Sequence, residues 1–297
     1  MSETNRAKYS LLLSMFIWGT IGLFVKYIPL PSSVIAMMRG FVGAIFLFII
    51  IKIKKQPMDR AAIRANLLKL CLSGVFLGFN WILLFEAYRY TTVATATLCY
   101  YLAPVIVILV SPIVLKEKLT WKKLVCVLVA LIGMVFVSGI LGVLKTGHFE
   151  KGEFTGILFG LGAACFYTGI VLVNKKIKDI SAYDTTITQL AVAAIVLIPY
   201  VLLTQDLSAI RLDGTAIALL AVVCIVHTGI PYALYFGCMK SLKGQTVAIM
   251  SYIDPVVAIL MSALVLKEEL GVYGAIGAVL VLGATLASEF VNSKEKV

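Results

Sequence analysis

Along the chain, apolar stretches of some twenty residues alternate with short polar or basic punctuation. A helix needs about 20 mostly apolar residues to cross the hydrocarbon core of a bilayer. The pattern therefore predicts ten membrane-spanning helices, near 10–28, 33–53, 66–87, 92–115, 121–140, 154–174, 183–203, 215–238, 244–266 and 271–290. The connections are short, which leaves no room for a separate aqueous domain. The first apolar run follows Arg6 and Lys8 as a signal peptide would, but it lacks a small-x-small cleavage site and is long enough to span. It is read as part of the mature protein, and the predicted fold is an all-α integral membrane bundle.

Composition sharpens this. Of 297 residues, 61% are hydrophobic and 14% charged, with a mean hydropathy of +1.02. Ordinary soluble domains carry about 25% charged residues, so a soluble enzyme, a disordered tail and a collagen-like rod are excluded. The formal charge of +11 points to anionic lipid headgroups, with no nucleic-acid partner. Cys71, Cys99, Cys126, Cys165, Cys224 and Cys238 show no metal-ligand or CxxC spacing, so they read as packing residues, with no metal and no cofactor. Short loops rich in Lys and Arg stay on the cytoplasmic side. An internal N-terminus places 19 of the 26 basic residues there, which predicts that both termini are cytoplasmic.

The chain also repeats itself. Leu102-Ala103-Pro104, followed by Leu115-Lys116-Glu117-Lys118-Leu119, matches Ile253-Asp254-Pro255 followed by Leu266-Lys267-Glu268-Glu269-Leu270, 151 residues on. At the same offset Gly78 meets Gly229, Trp81 meets Tyr232 and Phe85 meets Phe236; near it, Trp18 falls on Tyr167 and Arg39 on Gln189. Two five-helix halves are implied, residues 1–145 and 146–297. Because five is odd, the second half enters the membrane from the opposite face, an inverted-topology repeat of the kind that builds secondary transporters.

Four features resemble the ten-helix EamA-type branch of the drug/metabolite transporter superfamily. They are Trp18-Gly19, Arg39, the Ala87-Tyr88-Arg89-Tyr90-Thr91-Thr92 junction running into Pro104, and the Leu-Lys-Glu that closes the fourth and ninth helices at Glu117 and Glu268. The resemblance implies a multi-pass carrier of the cell (plasma or inner) membrane that moves small metabolites by alternating access through a cavity between the halves. It places the third, fourth, eighth and ninth helices at the centre, the first and sixth beside them, and the second at the periphery. The sequence departs from the duplicated pattern where Tyr167 replaces the aromatic-Gly pair, Gln189 the Arg, and Asp254 the Ala103 of the first half.

Asp254 is the sharpest candidate, because a carboxylate at mid-membrane costs about 2.5 to 3.5 kcal/mol on insertion scales. It is expected near the middle of the ninth helix. There it either binds a cationic group or carries a proton, or is held structurally by Ser251, a tyrosine or loosened backbone beside Pro255. Pro104 and Pro255 each remove a backbone donor and predict broken helices at matching positions. Thr97, Tyr100 and Tyr101 share a helical sector, as do Thr228, Tyr232 and Tyr235. With Trp18, Tyr167 and Tyr252 they form a candidate aromatic pocket for an amine. Asn80 and His227 are candidate substrate contacts, and His227, like Asp254, a candidate coupling group; such residues more often serve as interhelical glue. Arg39 and Glu86 are placed for an ion pair, as a gate or a strut. Gly152, Gly156 and Gly160, with Gly74 and Gly78, read as close-packing steps.

The leading expectation is a secondary active carrier that exports or exchanges an amino acid or related metabolite. No Walker motif is present, so a proton or counter-substrate gradient supplies the energy. The alternative is an uptake carrier for a sugar-like or nucleoside-like solute; a different class is a non-transporting receptor or scaffold. An enzyme is not expected, since the only histidines, His148 and His227, belong to no catalytic constellation. Partners are the small-molecule substrate and membrane lipid, and the protein is expected as a monomer or weak homodimer.

Overall fold

The computed structural model describes residues 3–114, 116, 120–137, 152–206, 208, 210, 213–238, 242, 247 and 250–295. Glu117, Lys118, Lys145, Lys151, Arg211, Lys240, Lys243 and Lys296, used in the motif and charge readings, lie outside them. The described elements are helical: α1 (Glu3–Gly19), α2 (Ile21–Tyr27), α3 (Ser32–Ile53), α4 (Arg60–Ala65), α5 (Leu67–Tyr90), α6 (Val93–Tyr100), α7 (Ala103–Val114), α8 (Trp121–Val137), α9 (Glu153–Asn174), α10 (Ala182–Thr204), α11 (Gly214–Cys224), α12 (Ile230–Cys238), α13 (Ile253–Leu264) and α14 (Gly271–Glu295). Among the described residues, eight continuous or jointed helices are long and apolar enough to cross a membrane, and α13 is a shorter apolar helix. Each of the ten predicted segments contains a described helix.

The outward faces are apolar. On α3, Phe41, Ile45, Phe48 and Ile49 are exposed, and on α10 Ile195, Ile198 and Leu202. Such continuous apolar surface is tolerated where lipid, not water, surrounds the protein. The interior holds the polar residues, Arg39, Asn80, Gln189 and His227 among them.

Contacts between elements exchange under the repeat offset. α9 packs on α5, α6 and α7, as α1 packs on α12 and α13; α3 pairs with α10, α8 with α14, and α6 with α13. Small residues allow the close approaches. A Cβ on Gly160 would lie 2.7 Å from the Cβ of Cys99, and one on Gly156 2.8 Å from that of Thr91, so these steps seat α9 against the fourth segment.

Turns precede both prolines. The fourth segment turns at Tyr101–Leu102, so that Ala103 and Pro104 open α7. The ninth turns at Tyr252, and α13 begins at Ile253, two residues before Pro255. A proline ring leaves the carbonyl four residues back without its donor and clashes with it, and early in a helix it does neither. Pro231 acts differently: its missing N–H widens the eighth segment into a π-turn at Ile225–Gly229, where Ile230 N–H reaches the Ile225 carbonyl.

The lysines of the paired Leu-Lys-Glu motifs share a backbone conformation. Lys116 and Lys267 both take left-handed backbone, φ 56° and 55°. After Lys267 the Glu268 N–H donates to Ser262 O at 3.0 Å, the closure of a helix whose C′ residue is left-handed. Lys267 is thus a helix terminator as well as a charge at a membrane edge.

Candidate functional site

The two helix breaks face one cavity of 790 Å³, within the range that encloses a small metabolite. Of the residues singled out in the sequence, Trp18, Thr97, Tyr100, Tyr101, Tyr167, Tyr232, Tyr235, Ser251, Tyr252 and Asp254 all line it, with Arg39 and Pro104. Two aromatic groups form its walls. Trp18 lies edge-on to Tyr232 at 5.1 Å and tilted against Tyr235 at 5.5 Å. Tyr100 lies edge-on to Tyr167 at 5.3 Å and to Tyr101 at 5.9 Å, and Tyr101 approaches Tyr252 at 6.4 Å.

Asp254 sits between these walls. Instead of lying in mid-helix, it is the second residue of α13, in its first turn. The break thereby places the positive end of a helix dipole behind a carboxylate inside the bundle, the orientation that stabilises negative charge. Its partner is not Ser251, whose hydroxyl donates to Val247 O at 2.9 Å. It is Tyr101, whose hydroxyl donates to Asp254 Oδ2 at 2.9 Å. One bond thus ties the turn of the fourth segment to the start of α13.

Gly19 explains the Trp18-Gly19 pair. A Cβ there would lie 2.6 Å from the backbone carbonyl oxygen of Asp254 and 2.7 Å from Val257 Cβ, so only glycine lets α1 meet the start of α13. At the equivalent place in the second half, the Thr168 hydroxyl donates to Ala103 O at 3.2 Å. In both halves the residue after the cavity aromatic abuts a carbonyl just before a proline. Overpacking of this kind costs about 1 to 3 kcal/mol. Gly19→Ala is accordingly expected to lower the melting temperature and, by displacing Asp254, to weaken transport. A variant as stable and as active as the parent speaks against a tight α1–α13 seat.

Arg39 is placed differently from expectation. It is 4% exposed; its Nε donates to Thr228 Oγ1 at 2.9 Å, and its guanidinium lies 4.1 Å from the Trp81 ring centroid and 5.2 Å from that of Phe85. The anticipated Arg39–Glu86 pair is not formed: Glu86 pairs with Arg89, one turn away on α5, at 3.7 Å. Nor is the second spanning helix merely peripheral, because α3 packs against α5, α10 and the π-turn, and Arg39 reaches the cavity. Thr228 is drawn away from the Tyr232 and Tyr235 face by the π-turn; it receives from Arg39 and donates to Val223 O at 3.0 Å.

Two polar candidates do not line the cavity. The Asn80 amide donates to Ala163 O at 2.7 Å and fastens α5 to α9. His227 is buried against Thr20 Oγ1, 3.0 Å from its Nε2, and Phe24, 4.6 Å between ring centroids. Both act as interhelical ties. Pro255 is buried beside the cavity without lining it.

Sequence reasoning missed Trp81, Tyr88, Ser111, Lys123 and Lys175, all of which line the cavity. Two carried a usable signal: Trp81 matches Tyr232 at the repeat offset, and Ser111 matches Ser262. Lys175 is exposed, and Lys123 and Ser111, which line the cavity with it, are buried. The end near Lys26 is drawn together by Glu268. Its carboxylate pairs with Lys26 of α2, accepts from Val93 N–H at the start of α6 at 2.9 Å, and accepts from the Ser262 hydroxyl of α13 at 2.6 Å. Three elements therefore converge on one carboxylate.

A multi-pass membrane bundle whose broken central helices enclose an aromatic, charge-bearing cavity is the architecture of a membrane transporter. Residues 7–139 and 154–288 each match the EamA-like transporter family, and the chain belongs to that family, within the drug/metabolite transporter superfamily. It is 30% identical to the Bacillus subtilis (strain 168) protein named uncharacterized transporter YxxF, over 99% of this chain and 92% of that protein. It is 25% identical to the protein RarD of Salmonella typhi, over 88% of this chain and 86% of that protein. A solved crystal structure with 17% sequence identity superposes with a TM-score of 0.66, covering 96% of this chain and 98% of that one, which shows a shared fold.

Proposed function

We propose that this transporter is a secondary carrier that moves an amino acid or a related small metabolite across the cell membrane, by export or exchange, through alternating access to the central cavity. In this reading the chain crosses the membrane ten times as two inverted five-helix halves with both termini in the cytoplasm. The end with Lys175 and Lys123 then faces inward, and the Glu268 cluster closes the outer end. The reciprocal packing of the halves supports the inverted repeat.

The observation that carries the substrate class is Asp254. A carboxylate held by one tyrosine at a helix start, between two groups of aromatic rings, is built to receive an ammonium group: charge pairs with charge, and ring faces add about 0.5 to 2 kcal/mol to a cation. A sugar-like or nucleoside-like solute keeps the cavity tyrosines as stacking and hydroxyl contacts but loses Asn80 and His227, which are bonded elsewhere. A proton or counter-substrate gradient remains the proposed driving force. The test is a thermal-shift screen of purified protein against amino acids, polyamines, sugars and nucleosides, followed by counterflow of the hits in proteoliposomes. A ligand that prefers the folded state raises its melting temperature. Stabilisation and counterflow by amine-bearing solutes are expected; a response confined to sugars or nucleosides contradicts the reading.

A further inference from the structure

The cavity holds a second buried charge, of opposite sign to Asp254, for which the mechanism above has no use. Arg39 lines the cavity on the side of α3, α5 and the π-turn. Among the described residues no carboxylate lies within ion-pair distance of it. What holds it is neutral: the Thr228 hydroxyl at Nε, and the Trp81 and Phe85 rings against the guanidinium plane. A guanidinium has five N–H donors in a planar fork that matches a carboxylate, and the hydrogen bond to Thr228 uses one of them. An intramembrane cation without a protein counter-ion is expensive and marks a ligand path by default. The arrangement therefore fixes the plane of the group and leaves its charge to be balanced from the cavity.

Arg39 and Asp254 are not interchangeable neighbours. Arg39 belongs to the Trp81–Phe85–Thr228 side, whereas Asp254 belongs to the Tyr101 side. Tyr88 lines the same cavity. The cavity is thus bipolar, with a positive pole and a negative pole joined by aromatic walls. A solute bearing only an amine satisfies one pole and leaves the other buried and unbalanced; one bearing only an acid does the reverse.

We propose that Arg39 is the carboxylate-recognising residue of the transport site, so that the carrier selects zwitterions, with the solute's carboxylate on Arg39 and its ammonium on Asp254. This rests on the amine-carrier reading above and adds the anionic half of the ligand. The gap at Gln189, the residue equivalent to Arg39 in the second half, fits the assignment. Gln189 donates to Ser73 Oγ at 2.9 Å and Asn174 Oδ1 at 2.7 Å, is absent from the cavity lining, and works as a tie between helices. Only the first-half position has become a cavity charge.

The test uses matched triads of known chemistry on the full-length purified protein: leucine with 3-methylbutylamine and 4-methylpentanoate, phenylalanine with phenethylamine and 3-phenylpropanoate, and 6-aminohexanoate with hexylamine and hexanoate. Binding is read by calorimetry and transport by counterflow. In the unmodified protein at least one zwitterion is expected to bind about tenfold to a hundredfold more tightly than its matched amine, the range for one charge-assisted hydrogen-bonded contact. Arg39→Gln is expected to erase that preference, leaving zwitterion and amine bound alike, and Arg39→Lys to restore part of it. A purely structural Arg39 would weaken all members of a triad together. Zwitterion preference that survives in Arg39→Gln, or in Arg39→Met should the Gln variant not fold, overturns the proposal. Amines that bind as tightly as their zwitterions to the unmodified protein overturn it while sparing the amine-carrier reading. Binding by no member of any triad counts against both.

Discussion

Asp254→Asn is expected to lower transport by about tenfold to a hundredfold, the loss of one charge-assisted contact to the solute, while the protein stays folded and monodisperse. Asparagine keeps the shape of the side chain and an oxygen that accepts the Tyr101 hydrogen bond, seen at 2.9 Å in the parent. The link between the two broken helices therefore survives. What disappears is the negative charge at the start of α13. Melting temperature and counterflow measured on the same preparation separate the two effects. Tyr101→Phe gives the complementary pattern: the carboxylate keeps its charge but loses its tether, and the loss of flux is smaller. Parental flux in Asp254→Asn removes this carboxylate from the mechanism.

Glu268→Gln is expected to shift the resting balance towards opening at the Lys26 end. The Glu268 side chain is 11% exposed, and its carboxylate is shared by Lys26, the Val93 N–H and the Ser262 hydroxyl. An anion at a helix start and an ion pair in a half-dry setting both lose strength when the charge goes. If the variant loses about 1.5 kcal/mol in this cluster, the open fraction rises roughly tenfold. The measurement is the rate at which a membrane-impermeant maleimide, added from the Lys26 side, labels a single cysteine placed at Tyr88 in a protein free of native cysteines. Faster labelling in Glu268→Gln is the expected result; an unchanged rate means that the cluster is a fixed joint and no gate.

Much of this was legible in the chain. Apolar run lengths located segments that each contain a described helix, because a bilayer imposes a length and a polarity on anything that crosses it. Pro104 and Pro255 located the breaks, because a missing donor acts on its own helix and needs no tertiary information. The cavity aromatics followed, since three- and four-residue spacing puts Thr97, Tyr100 and Tyr101 on one side. What the chain left open has a different cause. Asn80 and His227 were as polar as any site residue, but whether a polar group faces a cavity or a neighbouring helix depends on how the helices rotate against one another. The π-turn before Pro231 altered that rotation and turned Thr228 towards Arg39. The proposed Arg39–Glu86 pair failed for the same reason, with the nearer Arg89 taking Glu86. Glu268 joins residues from three remote parts of the chain, a convergence that spacing alone does not encode.

The most direct measurement locks the Lys26–Glu268 end. In a cysteine-free background, Lys26→Cys with Glu268→Cys is bridged by a short reducible bifunctional thiol reagent, and counterflow of a solute from the screen is followed before bridging, after it, and after reduction. A carrier that must open this end in every cycle loses flux when bridged and regains it when reduced, while the bridged protein still binds the solute from the Lys175 end. Unaltered counterflow through the bridged protein contradicts alternating access through this cavity.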